Sequence, residues 1–241
     1  MVDKDYKKVT EQLVLWIRDK INEAGCDGAV VGLSGGVDSS VTALLCKRAV
    51  PDKTLGVIMP CRSNPQDKED AQLLASAFDI EYKFINLEET YLTLLNSLGV
   101  SSEDGLAVAN IKPRLRMTTL YYYAASCNSL VVGTDNKSEL KLGYFTKFGD
   151  GGIDLAPLGD LVKSEVREIA KVLGVPDKII EKAPSAGLWD GQTDESELGI
   201  SYDQVDEYIL TGKGEKKVKD VVDSLATKNE HKLKLPPIPR F

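Results

Sequence analysis

Histidine is nearly missing from this sequence: His231 is the only one among 241 residues. A His-rich metal centre is thereby excluded, and a Ser-His-Asp hydrolase is a poor fit. Cysteine is scarce too. Cys26, Cys46, Cys61 and Cys127 lie far apart with no Cys-x-x-Cys pair. Neither a zinc site nor a disulfide framework is indicated, so all four are expected as reduced thiols. Basic residues do not dominate, since 30 Lys plus Arg stand against 37 Asp plus Glu for a net charge of −7. A surface built to neutralise nucleic-acid phosphate would carry the opposite balance; no nucleic-acid partner is expected, although a local basic groove is compatible with these totals. No apolar run nears the ~18–20 residues of a membrane helix. The charged start Met-Val-Asp-Lys-Asp-Tyr-Lys-Lys has no apolar signal segment behind it. The expectation is a cytoplasmic chain without a membrane partner. Repeats, low-complexity tracts and linker-like stretches are also absent, so residues 1–241 are read as a single domain.

What is present is a core and a rhythm. Apolar residues make up 42% and charged residues 28%, enough of each for a sizeable interior and a soluble surface. Val9, Leu13, Trp16, Ile17 and Ile21 recur at helical spacing until Gly25 stops them. Residues 29–33 (AVVGL) read as a fully buried strand, 39–49 as a helix, and 54–59 (TLGVIM) as a second strand closed by Pro60. A helix near 67–78, a strand at 82–87 and a helix at 88–98 continue the alternation. A further helix starts around Pro113 and leads to a fourth strand at 129–133. Strands alternating with helices of this length imply an α/β fold, a doubly wound parallel sheet with helices on both faces. Such sheets bind ligands at the carboxyl ends of their strands, which makes the loops after strands the ones to inspect. Beyond residue 135 the rhythm loosens. Segment 143–161 is rich in Gly and aromatic residues, 163–173 is a clear helix ended by Gly174, and 184–200 is aperiodic again. Residues 215–234 form a charged helical candidate, and Pro236–Pro239 ends in extended form.

Ser34-Gly35-Gly36-Val37-Asp38-Ser39-Ser40 joins the first strand to the second helix. Its glycines let the backbone turn tightly and aim several N–H groups at one anion, while the helix start adds partial positive charge. At roughly 1.5–3 kcal/mol for each charge-assisted hydrogen bond, three or four convergent donors can hold a pyrophosphate. Asp38 has no place against phosphate but suits a Mg²⁺ ligand, because the hard cation lets carboxylate and phosphate coexist. The plainer alternative is a strand–helix turn with Asp38 or Ser39 as the helix cap. The Walker-A lysine is missing, so an ordinary P-loop NTPase is disfavoured. In this context the string resembles the signature of the ATP pyrophosphatases, which share an adenine nucleotide alpha-hydrolase-like, Rossmann-like fold and cleave ATP between the α and β phosphates.

Further strings narrow the resemblance. Gly133-Thr134-Asp135-Asn136-Lys137-Ser138-Glu139 follows the fourth strand, and Gly143-Tyr144-Phe145-Thr146-Lys147-Phe148-Gly149-Asp150-Gly151-Gly152 comes next, ahead of Asp154 and Pro157-Leu158-Gly159. Upstream stands Asn110-Ile111-Lys112-Pro113-Arg114-Leu115-Arg116-Met117; later come Pro184-Ser185-Ala186-Gly187-Leu188-Trp189 and Gly191-Gln192-Thr193-Asp194-Glu195. Together, over roughly residues 9–232, these look like the NAD⁺ synthetases. The synthetase resemblance starts near the beginning of the sequence, so the ammonia-dependent form, without an amidohydrolase domain, is the expectation.

The resemblance implies a two-step reaction with ATP as co-substrate: the carboxylate of deamido-NAD⁺ attacks the α-phosphorus, releasing pyrophosphate, and ammonia then displaces AMP. No protein nucleophile is needed, so alignment and charge stabilisation carry the rate. By the same resemblance, Gly32, Leu33, Ser34, Gly35, Gly36, Val37, Asp38 and Ser39 hold ATP, as do Thr134, Lys163 and Ser185; Asp38 and Glu139 take Mg²⁺. Arg114, Lys147, Asp154, His231 and Lys232 match positions that contact the dinucleotide; for His231, near a charged C-terminal helix, a plain surface residue is the alternative. Arg116, two positions from Arg114, faces elsewhere on a helix and is expected to be mainly structural. Lys163 opposes the dipole at a helix start, which is easier to explain if it faces triphosphate; a solvated lysine is the alternative. Ammonium has no lone pair, and Asp150 and Asp154 match acidic positions that receive it and take its proton; plain turn residues are the alternative. Segment 184–200, tipped by Leu188 and Trp189, is a candidate lid over the adenylate. Relatives imply a homodimer, for which the faces near 88–98 and 114–126, with Tyr121, Tyr122 and Tyr123, are candidates alongside plain core. Rival readings are another adenylating ligase of this fold, a tRNA thiolase or a GMP-synthetase-type amidase, and a non-catalytic nucleotide sensor. The missing Cys-x-x-Cys weakens the thiolase, and Glu139 with Asp150 weakens the sensor.

Overall fold

The structure, a computed structural model, describes residues 4–102, 105–185, 187 and 193–240. Helix α1 (Tyr6–Glu23) starts at Asp5, whose carboxylate accepts from the Lys7 and Lys8 N–H groups, and it buries Ile17 and Ile21. It leads into β1 (Gly28–Gly32), α2 (Val37–Ala49), β2 (Thr54–Ile58), α3 (Pro65–Ala77), β3 (Glu81–Phe84) and α4 (Glu88–Leu98). Next come α5 (Leu106–Ala109), α6 (Ile111–Ser126) and β4 (Ser129–Val131). All strand pairs are parallel, in the order β3-β2-β1-β4, with Val30 opposite both Leu55 and Val131 and Gly56 opposite Tyr82. The chain steps outward from β1 to β3 and then returns to the other side of β1. A crevice therefore opens between β1 and β4 at their carboxyl ends.

Strand β1 shows why its sequence is apolar throughout. Ala29 and Val31 join the core that holds Ile17, Ile21, Val41 and Leu45, whereas Val30 points into a second core with Tyr91, Leu95 and Ala124. A strand covered on both faces has no polar side to offer. Each fully buried aliphatic side chain in these layers stabilises the fold by about 1.5–3 kcal/mol.

The second half covers and extends this sheet with α7 (Lys137–Leu142), α8 (Lys163–Leu173), α9 (Asp177–Ile180), α10 (Asp194–Leu198), α11 (Tyr202–Thr211) and α12 (Lys216–Asn229). Helix α8 lays Val166, Ile169 and Ala170 into the first core and stops at Gly174, in the left-handed region at φ +82°. A smaller cluster of Leu142, Ile200, Val205, Val218 and Val222 binds α7, α11 and α12 together.

Most elements agree with the sequence reading to within a few residues, and the differences have local causes. Strand β4 ends at Val131 rather than 133 because Val132 pairs only with Leu155 in an isolated bridge. Gly133 then passes so close to Ile153 that a Cβ would sit 2.3 Å from its Cδ1. Strand β3 ends at Phe84, and Asn86 accepts from the Glu88 N–H to start α4. Segment 184–200 is not aperiodic throughout: Thr193 caps α10, which is too short for a hydrophobic period to show. Leu188 and Trp189, the expected lid tip, lie outside the described residues. All four cysteines are free, and among the described residues no helix is long and apolar enough to cross a membrane.

Candidate active site

A cavity of about 680 Å³ opens at the carboxyl ends of β1, β2 and β4. Gly35, at φ +78°, turns the chain between β1 and α2, and a Cβ there would lie 2.2 Å from the Asp67 carbonyl oxygen. Only glycine fits. The loop is held from within: the Ser39 hydroxyl donates to the Gly36 carbonyl at 3.0 Å and the Ser40 hydroxyl to the same oxygen at 2.8 Å. The Ser34 hydroxyl in turn lies 3.0 Å from the Ser39 oxygen. Helix α2 begins after Gly36 without a side-chain cap. The plain turn reading, with Asp38 or Ser39 as helix cap, is thus set aside, and the open helix start faces the cavity with its partial positive charge.

Asp38 looks across the crevice instead. It accepts from the Asn136 amide at 2.9 Å and from the Lys163 ammonium. Lys163 also donates to Glu139 at 3.1 Å. Three elements therefore meet at one point: α2, α7 and α8. A capping box fixes Glu139, for Asn136 Oδ1 accepts from the Ser138 and Glu139 N–H groups while Glu139 accepts from the Asn136 N–H at 3.1 Å. Lys163 is 3% exposed, which rules out the solvated-lysine alternative. Its awkward place in the first turn of α8 is offset by anions: Asp206 accepts from the Ser164 N–H at 2.7 Å and from the Ser138 hydroxyl at 2.5 Å. Glu165 adds a bond from the Val162 N–H at 3.0 Å. Burial works against the Lys163 charge, but Asp38 and Glu139 outweigh it and hold the ammonium above its ordinary range. Burial also pushes the Glu139 carboxyl up to about 7.

Two carboxylates facing a cavity suit a hard cation that also takes phosphate oxygens. The pair has the donor chemistry for Mg²⁺, and among the described residues no group of three or more His, Cys, Asp or Glu side chains is placed to hold a metal. Thr134 and Ser185 line the same cavity, and the Ser185 hydroxyl accepts from the Gly187 N–H at 3.1 Å.

The other expected residues gather on the far wall. Lys147 donates to the His231 carbonyl at 2.7 Å, Arg114 to the Lys147 carbonyl at 3.3 Å, and Lys232 to the Gly143 and Phe145 carbonyls at 2.7 and 2.8 Å. Arg116 is engaged in structure, as expected, donating to the Met59 carbonyl and Ser63 hydroxyl, both at 3.2 Å. Asp150 faces the cavity, its carboxylate accepting from the Thr146 N–H at 3.0 Å. Two expected residues stand apart: Gly35 packs away from the cavity, and Asp154 is exposed, with its oxygens accepting from the Tyr121 hydroxyl at 2.9 Å and the Val131 N–H at 2.8 Å. Sequence reasoning missed Asn136, Asp135 and Asp206. Asn136 had a signal, because an Asn three residues before Glu139 is a capping-box pattern; Asp206 had none.

A family model described as NAD synthase matches residues 9–236. The NH(3)-dependent NAD(+) synthetase of Carboxydothermus hydrogenoformans is 54% identical over 238 residues, covering 98% of each chain. Among solved structures, the NMN synthetase from Francisella tularensis overlays with a TM-score of 0.94 at 39% identity, covering 99% of this chain and 100% of that one. The NH3-dependent NAD synthetase from Campylobacter jejuni overlays with a TM-score of 0.81 at 34% identity, covering 98% and 100%.

Proposed function

Because this chain belongs to the NAD synthase family, we propose a division of labour among the cavity residues for the reaction that membership brings. The protein is a ligase that amidates deamido-NAD⁺ with ammonia at the expense of ATP, the last step of NAD⁺ formation. Residues 32–34 and 36–39, Thr134 and Ser185 hold ATP, and Gly35 turns the loop that carries them. Lys163 aligns its phosphates from the α8 start. Asp38 and Glu139 would hold Mg²⁺, which when bound offsets charge on the leaving pyrophosphate. Arg114, Lys147, His231 and Lys232 seat the dinucleotide, with Asp154 at the outer edge of its site. The substrate carboxylate attacks the α-phosphorus, pyrophosphate departs, and ammonia displaces AMP after Asp150 has taken a proton from ammonium. The observation that carries this reading is the junction of Lys163 with Asp38 and Glu139, because it gathers a cation and two anions from three elements beside the loop at Gly35.

Purified protein given ATP, deamido-NAD⁺, ammonium and Mg²⁺ is expected to release NAD⁺, AMP and pyrophosphate in equal amounts. Formation of ADP and phosphate refutes the site of cleavage. Asp38→Ala combined with Glu139→Ala is expected to abolish amidation, and an unchanged rate in the folded double variant refutes the metal assignment.

One observation favours a second activity: the Francisella mononucleotide enzyme overlays better than the Campylobacter dinucleotide enzyme. On that reading the mononucleotide acid would be a second substrate, and paired assays with the two acids at equal concentration rank them by kcat/KM. Assembly as a homodimer in the cytoplasm completes the proposal. The dimer is supported by exposed Leu92, Leu98, Leu106 and Tyr122 on or beside α4, α5 and α6.

A further inference from the structure

Asp135 is a carboxylate that neither the fold nor the nucleotide site uses. It is 6% exposed, it lines the cavity, and its Oδ2 has no hydrogen-bond partner. A carboxyl oxygen kept out of water and unpaired is costly, and such a group persists where a ligand satisfies it. The next residue, Asn136, is committed to capping α7 and clamping Asp38, so the orphaned oxygen is left to whatever enters the cavity. Asp135 shares the cavity wall with Asp38 from α2, Glu139 from α7, Lys163 from α8 and Asp150 from the loop that follows α7. The first three are tied to one another, and Asp150 exerts the largest charge effect of the four. Arg116 from α6 and Lys232 from the C-terminal turn act on Asp150 in turn. Asp154, by contrast, has both oxygens occupied at the surface.

We propose that Asp135 is the second carboxylate of the ammonium step, forming with Asp150 the acidic pair that receives the cation and takes its protons. The inference rests on the amidation reading above and locates the nitrogen donor within that site. Ammonium must lose two protons to become an amide nitrogen. One passes to a carboxylate of the pair, freeing the lone pair. That lone pair forms the C–N bond at the adenylated carboxyl carbon, the C–O bond to AMP breaks, and AMP leaves with its electrons. The nitrogen then gives its second proton to the other carboxylate. Burial and then the Asp150 charge hold the Asp135 carboxyl well above the usual range, so it is a stronger base than a surface carboxylate.

The test is Asp135→Asn, assayed with ammonium and with hydroxylamine, a nucleophile uncharged at neutral pH that needs neither a cation site nor prior deprotonation. The apparent KM for ammonium is expected to rise about tenfold or more, the range for one lost charge-assisted hydrogen bond. With hydroxylamine the deficit is expected to shrink to within about threefold at that scale. The pH profile of ammonium use, but not of hydroxylamine use, should move. Equal losses with both nucleophiles, or no loss with either, overturn the proposal. If Asp135→Asn does not fold, Asp135→Glu replaces it: the charge is kept, so ammonium KM is expected near that of the unaltered protein with a lower kcat, and a tenfold rise in KM overturns the proposal. Pyrophosphate exchange into ATP by the unaltered protein checks the adenylation reading separately, so the two failures are distinguishable.

Discussion

Replacing Lys163 by methionine removes one cation from between two carboxylates while roughly keeping the volume of the side chain. Asp38 and Glu139 are then left 16% and 13% exposed with no counter-charge. Breaking a buried ion pair by deleting one partner costs about 3–5 kcal/mol. That figure is an upper bound at low pH, because a carboxyl that takes a proton is no longer an unpaired charge. Glu139 is already raised to about 7 in the intact protein, and loss of Lys163 raises it further. A carboxyl raised in the fold binds more protons folded than unfolded, so its effect on stability is least damaging below its unfolded value near 4.5 and grows as pH climbs through the folded value. Urea unfolding at pH 8 is therefore expected to show a deficit of about 3 kcal/mol or more, narrowing by at least half at pH 5.5. Mg²⁺ is expected to recover part of the loss at pH 8 by occupying the freed pair. A variant within about 1 kcal/mol of the parent at pH 8, or one with the same deficit at both pH values, refutes the reasoning that Lys163 is the counter-charge of this pair.

Gly35→Ala is expected to destabilise by about 2 kcal/mol or more, since the new methyl must displace the Asp67 backbone at the α3 start, and its KM for ATP should rise in a steady-state assay. Arg114→Ala and Arg116→Ala separate binding from structure. The first should raise the KM for deamido-NAD⁺ with little change in melting temperature; the second should cost about 1–3 kcal/mol in denaturant unfolding by leaving the Met59 carbonyl unpaired. Asp70 is nearly fully buried, and burial alone would raise its carboxyl, but bonds from Lys182, Lys178 and Gln66 hold it below 3.8. Its stabilisation is present above that pH and lost as pH falls through the lower folded value, so Asp70→Asn should flatten the acid limb of a stability–pH curve.

Strands β1 and β2 were legible in the sequence because strands buried on both faces leave no polar interruptions, and the helices that connect them are long enough to show a period. Strand β1 and helices α4 and α8 are found at their expected places for that reason. Helices of four to six residues escaped. Helices α9 and α10 hold barely one turn, so hydrophobic spacing has nothing to repeat over, and only their caps mark them. Helix α11 is longer and carries a Ser201–Gln204 capping box with Gly212 at its end, signals that were visible but outweighed by the surrounding glycines.

The site divides along a similar line. Residues whose chemistry forbids a resting place in solvent or core, such as Asp38 inside a glycine loop and Lys163 at a helix start, announce themselves, because local rules alone make them anomalous. Asp206 and Asp135 do not. Asp206 lies on a helix surface by its own sequence and acquires its role only when α11 packs across α7 and α8, 42 positions from the Ser164 N–H it satisfies. Asp135 sits in a string whose neighbours absorb attention as cap and metal ligand, and what distinguishes it is a shortage: an acceptor without a donor. Sequence can list donors and acceptors but cannot subtract those the fold has satisfied. The orphaned oxygen emerges only after that subtraction, which is why the ammonium pair is drawn as Asp135 with Asp150 from the structure, while motif matching alone had paired Asp150 with Asp154.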